Sequence, residues 1–175
     1  DAPMKSPMSS IDIMNMNISE PITLREVLTA IEKAATDPSI KYLAGKVTIY
    51  STSPDKSRKA MIYYLEKFFG DREKMLVSKH PETCTDEERA EFDAMFCADT
   101  AKENYKILNN FVKSMNDSIP PLIHSYIELS SSMKTFGTTF DPDFGDCYDT
   151  AMIITINDIY EQKKKRYIES YFEQQ

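Results

Sequence analysis

Apolar residues recur along most of this chain at spacings of three and four, the pattern of one buried helical face. Leu24, Val27, Leu28, Ile31, Ala34 and Ala35 form the first such stripe, and Thr23-Leu-Arg-Glu26 opens it as a capping box. Asp37-Pro38 reads as an N-cap followed by proline at the first helical position, starting a second helix with Ile40, Leu43, Ala44 and Val47. Val47–Tyr50 is the β-prone part of that segment. Ser53-Pro54 repeats the signal before Met61, Tyr64, Leu65 and Phe68, and Gly70 is placed to close this third helix in the left-handed conformation. A short helix is expected over 71–79, stopped by Pro81.

Thr85-Asp-Glu-Glu88 is a second capping box, leading to Phe92, Met95 and Phe96, and Thr100 with Glu103 offers a third before Tyr105, Leu108, Phe111, Val112 and Met115. Pro120-Pro121 ends that helix and starts another carrying Ile123, Tyr126, Ile127, Ser130 and Met133. Residues 138–145 read as a loop. A last helix is expected from Asp146, with Tyr148, Met152, Thr155, Ile156 and Ile159 on its buried side. The sum is an all-α fold, an irregular bundle of about seven or eight helices. Residues 1–20, broken by Pro3, Pro7 and several serines, read as a flexible N-terminal arm. Residues 21–175 read as a single helical domain whose charged C-terminal helix end projects from the core.

Composition narrows the function classes. The chain has 175 residues, 41% hydrophobic and 28% charged, enough for one domain with a real core. Its formal net charge of -7 disfavours nucleic acid, whose backbone is bound by Lys and Arg, and disfavours anionic membranes. No apolar run approaches the roughly 18 residues of a membrane span. The chain begins at Asp1 without a hydrophobic leader, which fits a signal peptide already removed or a trimmed chain. Asn17-Ile-Ser19 and Asn116-Asp-Ser118 are N-glycosylation triplets for a secretory route.

Candidate chemistry is sparse. His80 precedes Pro81 at an expected helix end, and His124 flanks an apolar stripe. Spacing does not bar a Cys97–His124 nucleophilic pair, because such partners are often remote in sequence, but nothing else in the pattern supports it. The acidic stretch Asp141-Pro-Asp143-Phe-Gly-Asp146-Cys-Tyr-Asp149 lacks the order of a calcium loop and reads as turn chemistry with an N-cap at Asp146. Lys163-Lys-Lys-Arg166 reads as a solvated helix between Glu161 and Glu169, and the ten methionines as core filling. Neither a catalytic residue nor a metal or cofactor site is therefore expected, and the chain reads as no enzyme. Cys84, Cys97 and Cys147 are disulfide candidates. A helix opened by Thr85 would hold Cys84 and Cys97 roughly 18–20 Å apart, too far to bond, so Cys147 is expected to pair with one of them.

The stretches Leu24-Arg-Glu-Val-Leu through Ile31, Tyr63-Tyr-Leu-Glu-Lys-Phe-Phe-Gly-Asp-Arg-Glu-Lys74 and Thr85-Asp-Glu-Glu-Arg-Ala-Glu-Phe92 resemble, in order and flavour over about 20–130, the variable merozoite surface antigens of Babesia parasites. The resemblance implies an extracellular, non-enzymatic coat or adhesion protein, held by a glycolipid anchor. Its implied partners are a host red-cell surface protein or glycan, and antibodies. The chain ends at Glu173-Gln-Gln175 without the small-residue site and apolar tail of an anchor signal. A secreted helical carrier of lipid is the alternative reading.

Overall fold

In the computed structural model, residues 39–78, 80–143 and 145–166 are described. The expected arm and the Thr23 helix lie outside them.

β-Branched and aromatic side chains at alternate positions favour a pleated strand. Three segments of this kind form one antiparallel sheet: β1 (Tyr42–Tyr50), β2 (Lys134–Asp141) and β3 (Cys147–Thr155), in the order β1-β3-β2. Four helices lie between β1 and β2: α1 (Asp55–Phe69), α2 (Asp86–Met95), α3 (Ala101–Ser114) and α4 (Pro121–Ile127). After β3 come a 3-10 turn at Ile156–Asp158 and the short α5 (Glu161–Lys164).

The fold is therefore α/β, and the expected all-α bundle of seven or eight helices is wrong. The second expected helix is β1. The first half of the expected 138–145 loop, 138–141, is the end of β2, while 142, 143 and 145 stand in the turn that follows, and the expected last helix is β3. Apolar residues at Ile40, Leu43, Ala44 and Val47 fit a helical stripe only by their spacing. In the sheet Leu43, Val47 and Ile49 lie on one face, opposite Ile154, Thr150 and Tyr148 of β3. As the central strand, β3 is covered on both sides, which gives its Met152-Ile-Ile-Thr155 run no polar alternation to advertise a strand. Asp146 is no N-cap: it stands in the β2–β3 hairpin with φ 52°, beside Gly145 at φ 70°.

The sheet face carrying Val47, Ile49, Met152 and Ile154 meets α1, which also packs against α2 and α3. Both later capping boxes form as their sequences dictate. The Glu88 N–H donates to Thr85 Oγ1 while Thr85 N–H donates to the Glu88 carboxylate, and Glu103 and Thr100 repeat the exchange. Three other local expectations are corrected. Pro54, not Ser53, is the N-cap of α1. No helix follows over 71–78, where Asp71 instead gathers the N–H groups of Glu73 and Met75 on its carboxylate. The Pro121 helix stops at Ile127, leaving Ser130 and Met133 buried beyond its end.

Gly70 does not adopt the left-handed conformation; its φ is -56°. Glycine is needed there for space. A Cβ would lie 2.3 Å from the Glu66 carbonyl oxygen, which is backbone and cannot swing aside. Gly70→Ala should therefore cost about 1–3 kcal/mol, the range for overpacking, as a lowered denaturation midpoint with an unchanged denaturant slope.

Candidate functional site

The connection from α1 to α2 is stitched to the edge of β2 at two points. Asp71 N–H donates to the Thr135 carbonyl at 2.8 Å, and Glu82 N–H donates to that of Thr138 at 2.7 Å. Between those two points β2 carries an extra residue. Thr135 pairs with Met152 and Thr138 with Thr150, so three steps on β2 match two on β3. Within this irregularity Gly137 stands at φ 86°, a backbone conformation open to glycine at no steric cost.

A cleft of about 320 Å³ opens between the bulge and the connection. Ile62 and Leu65 of α1 form one wall, and Leu76, Val77 and Pro81 of the connection another. At the floor the hydroxyls of Thr138 and Thr150 are paired at 2.6 Å, and the Thr135 hydroxyl donates to the Leu65 carbonyl at 3.3 Å. Two lining carboxylates are already engaged, the exposed Glu66 with Arg89 and the buried side chain of Asp71 with Lys134. The lining thus offers mainly apolar surface and, at the floor, hydroxyls paired within the protein, with the charged Lys74 and Glu82 beside Glu66 and Asp71.

The titratable residues singled out in the sequence lie elsewhere. His80 is exposed, and its carbonyl accepts from the Thr139 hydroxyl. His124 is exposed on α4 with its ring stacked on Tyr105. The acidic stretch is dispersed. Asp141 accepts from the Asp143 N–H, whereas Asp149 sits in β3 and binds Lys46 Nζ at 2.6 Å. Among the described residues, no group of three or more His, Cys, Asp and Glu could hold a metal. Likewise no described helix is long and apolar enough to cross a membrane.

Cys84, Cys97 and Cys147 are free thiols in this structure, Cys97 exposed and the other two buried. Cys84 Sγ lies 3.8 Å from the Lys59 carbonyl oxygen. Burial, with the nearby Glu88 carboxylate adding to it, pushes this thiol up to about 11. Burial likewise raises Cys147, helped by Asp149. Because only the thiolate attacks, alkylation of the folded protein at neutral pH should label Cys97 first. Cys84 should label only in denaturant or as the pH climbs towards 11. Mass spectrometry of tryptic peptides reads this directly, and prompt labelling of Cys84 at pH 7 would contradict its placement.

The cleft was not foreseen. Its walls come from α1 and from a connection that reads in sequence as a short helix over 71–79, and its one legible signal was Gly137 inside an otherwise β-prone Lys-Thr-Phe-Gly-Thr-Thr-Phe run.

The chain is similar to two bacterial acyltransferases. A glycine N(alpha)-acyltransferase of Phocaeicola vulgatus is 41% identical over 138 residues, 78% of this chain and 42% of the relative. One of Bacteroides thetaiotaomicron is 39% identical over 139 residues, 78% of this chain and 40% of the relative. The chain thus spans about two fifths of the length of the curated relatives it matches. No family model matches it, and neither does any solved structure at a significant level.

These relatives overturn the expectation of a Babesia-type surface antigen. The resemblance rested on charged helical segments of common composition, whereas identity near 40% extends over 138 residues. With it go the adhesion role, the lipid-carrier alternative, the glycolipid anchor and the host-cell and antibody partners. The non-enzymatic reading falls too, because both relatives are named as enzymes.

Proposed function

We propose that this chain belongs to an enzyme that transfers an acyl group to the α-amine of glycine. The observation that carries the reading is identity of 41% and 39% with two proteins named for that reaction. In such a transfer the neutral amine attacks the acyl carbonyl carbon and a carbon–nitrogen bond forms. The bond from acyl group to donor breaks, and the ammonium proton passes to a base or to the departing group. Burial keeps Cys84 and Cys147 as thiols, which favours direct attack by the amine over an acyl-cysteine intermediate on either.

The test is product formation by the full-length protein with isotopically labelled glycine and a series of acyl thioesters, followed by mass spectrometry. Labelled N-acylglycine is the expected product. Its absence under conditions where the Bacteroides relative produces it would overturn the reading.

A further inference from the structure

We propose that the cleft between α1, the 70–83 connection and the bulge of β2 binds a single unbranched acyl chain, tail first. The inference deepens the acyl-transfer reading and rests on it for the identity of the occupant.

Three features of the cleft favour an acyl tail over a polar ligand. Its surface is mainly apolar, from Ile62, Leu65, Leu76, Val77 and Pro81, although Glu66, Asp71, Lys74 and Glu82 also line it, and the floor hydroxyls of Thr138 and Thr150 are paired with one another at 2.6 Å rather than aimed at a guest. Its volume, about 320 Å³, stands at the narrow end of small-molecule sites, which run from about 300 to 1,000 Å³. That suits one linear chain better than a ring system or a folded peptide. Three consecutive apolar residues, Met75, Leu76 and Val77, are exposed on the connection at 49%, 50% and 74%. Leu76 and Val77 also line the cleft, which links this exposed apolar run to the interior. A solvated loop tip has no folding reason to carry such a run, whereas a chain entering from water needs it.

The connection is held in place for this. Its two ends are fixed to β2 on either side of the bulge. Asp71 stiffens its first turn by accepting from Glu73 and Met75 N–H at 3.1 and 2.6 Å.

Calorimetric titration of the full-length protein with N-acylglycines and free fatty acids of increasing length tests the proposal. Affinity should rise about fourfold per methylene, which corresponds to ~0.8 kcal/mol, until the cleft is full. Val77→Asp puts a charge at the mouth and should weaken the longer ligands at least tenfold. Ser78→Trp fills the cleft and should lower the chain length at which affinity stops rising. Val77 is exposed and Ser78 half-buried, and unchanged melting temperatures would exclude a folding defect.

Affinity independent of chain length, or a length dependence unmoved by both variants, overturns the proposal. The two readings fail separately. An enzyme that makes N-acylglycine with the same chain-length profile in wild type and both variants keeps its function and loses this cleft. Chain binding that responds to both variants, without acyl transfer to glycine, keeps the cleft and removes the function.

Discussion

Replacing Lys46 by Met should destabilise the protein by about 3–5 kcal/mol, the cost of breaking a buried ion pair by removing one partner. Lys46 Nζ lies 2.6 Å from Asp149 Oδ2, with both side chains less than a tenth exposed. Thr48 Oγ1 donates to the other carboxylate oxygen at 2.6 Å. β1 and β3 carry these residues on the same sheet face, opposite the one that meets α1. With Met at 46, the Asp149 carboxylate would stay buried with the Thr48 hydroxyl but without its countercharge. The double replacement Lys46→Met with Asp149→Leu removes both charges and should recover most of the loss. Urea denaturation of the two single variants and the double variant measures the coupling. Additive single and double effects would show that the pair does not act as a unit.

Tyr64→Ala should have a comparable effect, about 3–5 kcal/mol, because a fully buried aromatic leaves a cavity that its neighbours close only in part. Tyr64 is 0% exposed in the middle of α1. Its ring lies within 5.0–6.0 Å of the rings of Phe68, Phe69, Phe96 and Tyr105, three of these contacts edge-on. The hydroxyl donates to the Ala101 carbonyl at 2.8 Å, fastening the first turn of α3 to α1. Burial also raises the phenol well above its ordinary value, so it remains a donor throughout the accessible pH range. Tyr64→Phe separates the two contributions. It keeps the ring and loses one hydrogen bond, for an expected cost of about 0.5–1.5 kcal/mol. Equal losses in the Ala and Phe variants would place the effect in the hydrogen bond rather than in packing.

Local chemistry in the sequence decided the helices from α1 to α4. Thr85 with Glu88 and Thr100 with Glu103 each satisfy two backbone N–H groups within four residues, so no distant partner is needed to start α2 or α3. Pro121 begins α4 for a similarly local reason. The stripes through Met61, Tyr64 and Leu65, through Phe92 and Phe96, and through Leu108 and Val112 mark the faces that are buried.

Only the tertiary structure decided the sheet and what hangs on it. A strand's hydrogen bonds run to residues far away: β1 is paired with β3 about a hundred positions later, Tyr42 with Thr155 and Tyr50 with Cys147. Nothing within either segment records that partner. Once β3 is central and covered on both faces, its pattern no longer separates strand from helix. The Lys46–Asp149 pair follows from that register, since each charge alone reads as a surface residue. The cleft follows one step later, from a bulge at Gly137 meeting a connection that is neither helix nor strand. Spacing along the chain predicts a helical face because its neighbours are close in sequence; it cannot supply a register or a cavity whose walls come from α1, the 70–83 connection and β2.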